Sequence, residues 1–274
     1  MARRRKNPLV HAATLLPLAI GLASNLSTAP SAPGPERVSA TAVTTGGGCV
    51  ANLSLCPTTG CAQAKDPDEQ ILNETKRHRP SGSNAKALTW EDFSALQQDA
   101  DSTVGEAKAL GATDRDRLRN FAVSGGRVSE GDLVQLDGYL VGTPHPNTGE
   151  SVNCNLKGSA NNDFHIPFAD DPDKTPFQGI VVEMIPQNRP TNWTIVTLNR
   201  VKRGRRMVRV IGQLFYDNAH RVNADEDAPI GGQPARFSLF EIHPITSVSV
   251  CKQSESVCTD WETLDEFAQE KTPG

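Results

Sequence analysis

Histidines and carboxylates recur together in the C-terminal half of the sequence. Three of the six histidines, His165, His220 and His243, each have an acid within three residues. These acids are Asp163, Asp217 and Glu241. Imidazole and carboxylate groups ligate divalent metals, and carboxylates also orient ligating imidazoles. The pattern indicates a candidate metal site, although the spacings alone do not define one.

The stretch RFSLFEIHPITSVSV, from Arg236 to Val250, is typical of a β-strand. Its even positions are mostly apolar: Phe240, Ile242, Pro244, Val248 and Val250. Because side chains alternate between the two faces of a strand, Glu241 and His243 should share the opposite face. The same alternation places Asp163 and His165 together in DFHIPFA, and leaves Glu183 opposite the apolar face of GIVVEMIP.

Two interpretations of this polar face are open. An antiparallel sheet often has one solvated face that carries acids and histidines. However, the same face also carries large apolar side chains, which are costly to expose: Ile211, Phe215, Phe237 and Leu239. These residues predict that something covers the face, and the helices before Gly131 are the nearest candidates.

The polar set supports two classes of function. As a binding or interaction module, the chain would use it as a ligand site. In the alternative, the chain is a metal-dependent hydrolase with phosphodiesters as a candidate substrate class. His165, His220 and Asp217 would then hold a divalent metal, with Asp163 and His243 as further ligands. Glu241 or Glu183 would then act as the base on a metal-bound water. We find no nucleophile elbow, Walker loop, dinucleotide fingerprint or HExxH helix.

A second candidate feature is the basic segment NRVKRGRRMVR. It concentrates six cations around Gly204: Arg200, Lys202, Arg203, Arg205, Arg206 and Arg209. Such a cluster attracts phosphates, or it serves only as a solvated turn. Tyr139 and Trp193 are the candidate stacking aromatics. The net charge of −4 argues against a generic polyanion binder, so we expect weak polyanion binding at most.

The elements that must position these residues predict a mainly β fold with N-terminal helices. Helices are predicted at Pro67–Arg77, after an N-cap at Thr89, and around Thr113–Val123. Three strands, a helix within TNWTIVTLNRV capped by Thr191 or Asn192, and two strands then follow. This order is that of an OB-like five-stranded Greek-key barrel, in which Gly138 invites a bulge. The alternative is a small β-sandwich, with TNWTIVTL as another strand.

The number of cysteines indicates whether disulfides form and in which cellular compartment the chain resides. There are six: Cys49, Cys56, Cys61, Cys154, Cys251 and Cys258. An even count in an exported chain predicts disulfides. Three lie near the N-terminus and three lie in or after the β region. Complete pairing therefore requires an odd number of bridges between the two groups. We also expect a bridge to the segment after the last strand.

The N-terminus predicts export. Arg3, Arg4, Arg5 and Lys6 precede an apolar run that reaches about Ala23. This order is the signature of a secretory signal peptide, and the alternative is an N-terminal membrane anchor. We therefore expect an extracytoplasmic protein, secreted or periplasmic, with no other membrane-spanning segment.

The expected organisation has five parts. Residues 1–26 form the signal peptide or anchor, and 27–48, rich in Ser, Thr, Ala, Pro and Gly, form a disordered linker. Residues 49–125 form a cysteine-containing loop and helical segment, and 126–252 form the OB-like domain. Residues 253–274 are an acidic tail with a helix around DWETLDEFAQ.

The region from Arg119 to Val250 resembles a group of mostly bacterial, often exported proteins to which no activity is assigned. The segments that carry the resemblance are EGDLVQLDGYLVG, SVNCNL, NNDFHIPFA, VRVIGQLFYDNAH and FEIHPIT. The resemblance implies a shared OB-like architecture. It also marks a set of polar positions: Asp163, His165, Asp217, His220, Glu241 and His243. Two residues depart from the group, since Phe240 stands in place of a Trp and Gln213 in place of an aromatic.

Overall fold

A computed structural model describes residues 48–63, 65–105, 110–222, 235–253 and 257–270. The predicted signal peptide or anchor, and the predicted linker as far as residue 47, lie outside the described residues. In the described part, no helix is both long enough and apolar enough to span a membrane.

The two N-terminal helices form where their capping residues predict. Helix α1 spans Pro67–Arg77, with the Asp66 side chain accepting a hydrogen bond from the Glu69 amide. Helix α2 spans Trp90–Val104 and begins with a capping box between Thr89 and Asp92. Each cap satisfies amide groups that the first helical turn leaves free.

The third predicted helix is wrong. The segment Ala112–Arg117 is a 3₁₀ helix, and β2 (Phe121–Val123) follows and pairs with β3 (Gly126–Val128). The helical run ends at Arg117, and Asn120, directly before β2, adopts a left-handed φ of +64° that no helix could continue through. The pattern of alternating polar and apolar residues in this segment therefore belongs partly to a hairpin.

Within the described residues, eight strands form one large mixed sheet. They are β1 (Lys86–Ala87), β4 (Leu133–Leu140), β5 (His145–Pro146), β6 (Phe164–Ala169), β7 (Ile180–Met184), β8 (Val208–Tyr216), β11 (Phe240–Cys251) and β12 (Trp261–Thr263). Two short strands, β9 (Arg221–Val222) and β10 (Ala235–Arg236), pair separately. The chain is thus mainly β with few helices, as predicted.

The main sheet has the order β1-β4-β8-β11-β7-β6-β5, and β12 pairs with β11. Strand β4 pairs with β8 through most of its length and with β6 at its end, so the path β4-β8-β11-β7-β6 returns to β4. The β7–β11 pairing is parallel, whereas the other pairings on this path are antiparallel.

The segment TNWTIVTL is helical, so the strand expected in the sandwich alternative is absent from this segment. Helix α3 spans Ile195–Arg203 and connects β7 to β8. Its N-cap is Thr194, whose side chain accepts from the Thr197 amide, and neither Thr191 nor Asn192 fills this role. Hydrogen bonds at the cap and burial of Leu198 and Val201 outweigh the β-branched residues that disfavour a helix.

Gly138 is required for close approach and makes no bulge in its pairing with β8. The register from Leu133 to Gly138 against β8 is continuous, and the next residue, Tyr139, pairs with β6. A Cβ atom at Gly138 would lie 2.6 Å from the Ala169 carbonyl oxygen and 3.0 Å from the Phe168 ring. Gly138 therefore allows β4 to end its pairing with β8 and begin its pairing with β6.

Irregular pairing occurs in β11, around the cis peptide bond between His243 and Pro244. The β8–β11 register shifts between Ile242 and Ile245, and again before Ser247. Strict alternation places Pro244 with the core positions, and Pro244 is buried, but after the shift the next residue, Ile245, also joins the hydrophobic core. Glu241 lies before this irregularity and His243 lies at its start. Their side chains approach to 3.5 Å on the same face, as the sequence pattern predicts.

All six cysteines lie in the described segments and are paired. The disulfides are Cys49–Cys61, Cys56–Cys154 and Cys251–Cys258. One bridge joins the two cysteine groups, and another ties down the segment after β11, as predicted. Three disulfides indicate an oxidising, extracytoplasmic environment.

The C-terminal segment adds a short helix to the sheet. Helix α4 (Leu264–Gln269) follows β12, and a capping box between Thr263 and Glu266 begins it. Leu264 and Phe267 are buried in the main hydrophobic core. This helix lies within the predicted DWETLDEFAQ region.

Candidate functional site

Three strands bring a set of charged side chains to one face of the sheet. Glu241 and His243 come from β11, Glu183 from β7 and His165 from β6, and Asp163 immediately precedes β6. The β6–β7 register places His165 opposite Glu183, and the β7–β11 register places Val182 opposite Ile242. Three adjacent strands therefore point their alternate side chains toward a common centre.

His243 is that centre. Its Nε2 lies 3.5 Å from Asp163 Oδ2, and its Nδ1 lies 3.4 Å from Glu183 Oε2 and 3.5 Å from Glu241 Oε2. Glu183 also reaches outward, because its Oε1 lies 2.6 Å from His165 Nε2. We call Asp163, Glu183, Glu241 and His243 the buried cluster.

The face is covered, so the alternative of a solvated face is wrong for these residues. The members of the buried cluster are at most 1% exposed. Helix α1 lies over them, and Gln213 ties it to the sheet by donating hydrogen bonds to the carbonyl oxygens of Thr75 (2.8 Å) and His243 (2.7 Å). A helix before Gly131 therefore covers the face, as the apolar residues on it predict.

The disulfide-bonded segment before α1 anchors this cover to the loop that precedes β6. Asn73 in α1 donates to the Thr59 carbonyl oxygen (2.9 Å) and to Ser151 Oγ (3.0 Å). The Cys61 amide donates to the Ser151 carbonyl oxygen over 2.8 Å, and Cys56 is bonded to Cys154. Residues 48–63 and 65–77 thus form one unit, which we call the N-terminal cover.

Several polar atoms of the buried cluster have no hydrogen-bond partner among the described residues. They are Asp163 Oδ2, Glu183 Oε2, Glu241 Oε2 and both ring nitrogens of His243. An unsatisfied polar atom in a protein interior costs about 1–3 kcal/mol, and more when it is charged. One ligand atom from each of Asp163, Glu183 and His243 lies within 4.8 Å of the others. This arrangement is suited to a single cation.

Burial and charge act in opposite directions on these groups. Burial raises the pKa of Asp163 to about 6, although the nearby His243 opposes the rise. Burial would also raise the pKa of Glu183, but the imidazoles of His165 and His243 and the Lys76 ammonium lower it well below its usual range. For His243, burial lowers the pKa and the surrounding carboxylates outweigh it, so that the pKa rises to about 9.

A second group of charges adjoins the buried cluster through Glu241. The Arg236 guanidinium donates to Glu241 Oε1 and contacts Asp217 Oδ2 at 3.0 Å. Asp217 also lies 2.5 Å from His220 Nδ1. Asp217 therefore pairs with both His220 and Arg236. His220 and Asp217, which the sequence analysis expected to hold the metal, are not part of the convergent group of Asp163, Glu183 and His243.

Three contributors were missed at the sequence level. Lys76 of α1 contacts Glu150 at 3.4 Å. Burial lowers the pKa of Lys76, but the nearby carboxylates outweigh burial, so the pKa is raised. Arg236 is 2% exposed, and Asn153 donates a hydrogen bond to Asp163. Balancing the buried acids with cations would have indicated a buried Lys or Arg, but not which one, because the sequence does not show what α1 covers.

Most cations of the basic segment already have partners. Arg205 forms two hydrogen bonds to Asp173, and Arg209 forms two to Asp137. Arg206 donates to the Cys251 carbonyl oxygen, and Arg200 lies over the Phe267 ring. The aromatic candidates Tyr139 and Trp193 are only 8% and 7% exposed, so they are core residues.

The cysteine group that has metal-ligand proximity, Cys49, Cys61 and Cys154, does not form a metal site. Cys49 is bonded to Cys61, and Cys154 is bonded to Cys56. A sulfur in a disulfide has no thiolate to offer a cation. Asp163, Glu183 and His243 therefore remain the convergent ligand set in the described part of the chain.

Comparison with protein families, curated proteins and solved structures finds nothing that matches this chain.

Proposed function

We propose that this chain is an exported binding module built on an OB-like Greek-key barrel, and that its buried cluster binds a divalent transition-metal ion. Support for the barrel comes from the returning path β4-β8-β11-β7-β6. Its parallel β7–β11 pairing and the α3 connection between β7 and β8 are the arrangement expected of an OB-fold. Support for export comes from the basic N-terminus before an apolar run, together with the disulfides.

The observation that carries the metal proposal is the convergence of unpartnered buried atoms. Oδ2 of Asp163, Oε2 of Glu183 and a ring nitrogen of His243 have no hydrogen-bond donor or acceptor among the described residues. A cation bound among these groups would offset the cost of burying the carboxylates. One imidazole and two carboxylates suit Zn²⁺ and its neighbours among the divalent transition metals.

Glu241 and Asn153 support the ligands from outside. Glu241 Oε2 lies 3.5 Å from His243 Nδ1, and Asn153 donates to Asp163 Oδ1 at 2.9 Å. Such partners fix the orientation of an imidazole or a carboxylate before a metal arrives. The alternative to a bound metal is a protonated His243. Its imidazolium would pair with the surrounding carboxylates, and the cluster would be a purely ionic network.

The burial of the cluster favours a binding role over hydrolysis. A metal-bound water attacks only a substrate that reaches it. Asp163, Glu183, Glu241 and His243 are at most 1% exposed beneath α1. For the hydrolase hypothesis to hold, the N-terminal cover would therefore have to move away from the sheet.

Metal analysis of the purified, oxidised full chain tests the proposal. After exposure to Zn²⁺ and exhaustive dialysis, we expect one tightly bound equivalent per chain. Asp163→Asn and Glu183→Gln should weaken its affinity by about 10-fold or more. Glu262→Gln is the matched control, because Glu262 is also a buried carboxylate (7% exposed) but lies in β12.

Circular dichroism must show that each variant is folded. Replacing Zn²⁺ by Co²⁺ gives a second readout, since the visible spectrum reports the coordination of the ion. A folded wild type that retains no metal, or ligand variants that bind as tightly as Glu262→Gln, would overturn the proposal. The cluster would then be the ionic network around a protonated His243.

A further inference from the structure

Two histidines face each other at the edge of the sheet, beside the buried cluster. His145 in β5 pairs directly with His165 in β6. Their ring centroids are 5.6 Å apart, with the ring planes inclined by 54°. Directly opposed side chains on antiparallel strands are close enough to act on one ligand. His145 is exposed, and the His165 side chain retains 14% of its exposure.

The surroundings of His145 leave one of its nitrogens free to bind a cation. Its Nδ1 lies 3.1 Å from the Thr143 carbonyl oxygen. A carbonyl oxygen only accepts, so Nδ1 carries the proton and Nε2 keeps its lone pair. Metal-ligating histidines are oriented by this same kind of hydrogen bond from the other ring nitrogen.

Glu183 connects this surface pair to the interior. One carboxylate oxygen lies 2.6 Å from His165 Nε2, and the other lies 3.4 Å from His243 Nδ1. The same carboxylate therefore contacts the partly exposed imidazole of His165 on one side and the fully buried imidazole of His243 on the other. A cation bound at His165 would lie one carboxylate away from the buried cluster.

We propose that His145 and His165 form a two-imidazole surface site that captures a divalent transition-metal ion and passes it through Glu183 to the buried cluster. This inference rests on the proposed function and adds the route by which the ion enters. Imidazole ligands favour Zn²⁺, Co²⁺, Ni²⁺ or Cu²⁺ over Mg²⁺ and Ca²⁺, which prefer oxygen ligands. Nε2 of His165 carries the proton that it donates to Glu183 Oε1, so a cation would bind the other ring nitrogen, Nδ1.

Rapid mixing of the metal-free, oxidised full chain with Co²⁺ tests the route. His145→Ala should slow uptake into the buried cluster by at least about 10-fold and leave the final number of tightly bound equivalents unchanged. His78→Ala is the matched control, since His78 is also exposed but lies at the end of α1, and it should behave as wild type. His145→Ala uptake at the wild-type rate would overturn the route.

A second measurement tests the surface histidine site separately from metal binding by the buried cluster. In Asp163→Asn, which lacks a ligand of the buried cluster, the surface pair should still bind a weaker equivalent of Co²⁺. Adding His145→Ala to that variant should abolish the weaker binding. If it does not, the two-imidazole site is wrong, whatever the result for the buried cluster.

Discussion

The side-chain amide of Asn153 donates a 2.9 Å hydrogen bond to Asp163 Oδ1. This contact directs the other carboxylate oxygen toward His243, whose Nε2 lies 3.5 Å from it. The residue after Asn153 is Cys154, which is bonded to Cys56 in the N-terminal cover. The orientation of a candidate ligand is thereby linked to a disulfide.

Asn153→Ala should weaken metal binding without unfolding the protein. Loss of the amide leaves Asp163 Oδ1 buried and unpartnered, so the carboxylate is free to turn away from His243. Supporting residues of this kind change metal affinity by about 10- to 100-fold. Zn²⁺ titration against a competing chelator measures the change. Asn161→Ala is the control, because Asn161 bonds only the Lys157 carbonyl oxygen at the surface. Equal affinities would contradict the orienting role.

The three disulfides should contribute unequally to stability. Cys56–Cys154 joins residues 98 positions apart, whereas Cys251–Cys258 joins residues 7 apart. In the chain-entropy description, the longer loop contributes about 4.7 kcal/mol and the shorter about 2–3 kcal/mol. Denaturant unfolding of the two double Cys→Ser variants under non-reducing conditions should reveal the difference. Equal losses, or free thiols in the denatured wild type, would contradict it.

Asp92 should make α2 sensitive to acid. Burial favours the neutral acid, but hydrogen bonds from Ser124 and Thr89 outweigh it and lower the pKa of Asp92 below its ordinary value of 3.8. A lowered folded-state pKa gives stability that is complete above the unfolded value and is lost as pH falls through the folded value. Asp92→Asn should therefore cost about 1.5–3 kcal/mol at pH 7.

The cost of Asp92→Asn should shrink once the pH falls below about 3.8 and disappear when Asp92 in the wild type is itself protonated. Urea unfolding at a series of pH values measures it. A difference that stays constant through this window would show that the charge on Asp92 is not the cause.

Gly138→Ala should destabilise the sheet strongly. The added Cβ would meet the Ala169 carbonyl oxygen at 2.6 Å, and that oxygen belongs to the neighbouring backbone and cannot move aside cheaply. Overpacking typically costs about 1–3 kcal/mol, and we expect the upper end of this range. Gly125→Ala is the control, because its nearest atom would be 3.7 Å away. Similar unfolding free energies for the two variants would contradict the close approach.

The basic segment should bind nucleic acid only weakly and without sequence preference. Arg203 and Arg205 are exposed, whereas Arg206 donates to the Cys251 backbone and should stay unchanged in a test. Arg203→Ser with Arg205→Ser should reduce affinity equally for all sequences and lower the salt slope by about 1–2. Lys157→Ser controls for net charge. Tight, sequence-selective binding at physiological salt that this double variant abolishes would identify a nucleic-acid reader.

Much of the architecture follows from local rules. The caps of α1 and α2 and the strands that carry the polar residues depend on residues a few positions apart. The parity that placed Glu241 with His243 holds because β11 is regular until Ile242. It fails at Ile245, which lies in the core although alternation assigns it to the polar face, since the register shift depends on pairing with Gly212 in β8, which lies far away in sequence.

The site was only partly predictable for the same reason. Strand alternation assigns Asp163, Glu183 and His243 to one face, but it does not show which elements cover that face. The ammonium of Lys76 and the amide of Asn153 arrive from α1 and from a loop, through contacts that span more than 70 residues or depend on a turn. His220 was predicted to belong to the site but lies outside it, because it pairs with Asp217, which in turn pairs with Arg236.

The covalent link between Cys56 and Cys154 gives the proposed metal site a place in the order of maturation. The sheet depends on backbone pairing and apolar burial, neither of which requires an oxidant. The N-terminal cover and the loop that carries Asn153 share hydrogen bonds, but they are joined covalently only when this bridge forms. In a reducing compartment the chain would therefore contain the ligands, but the disulfide that fixes the loop carrying Asn153 would be absent. We expect it to gain full affinity for metal only after crossing into an oxidising space, where it would draw on the metal supply outside the cytoplasm.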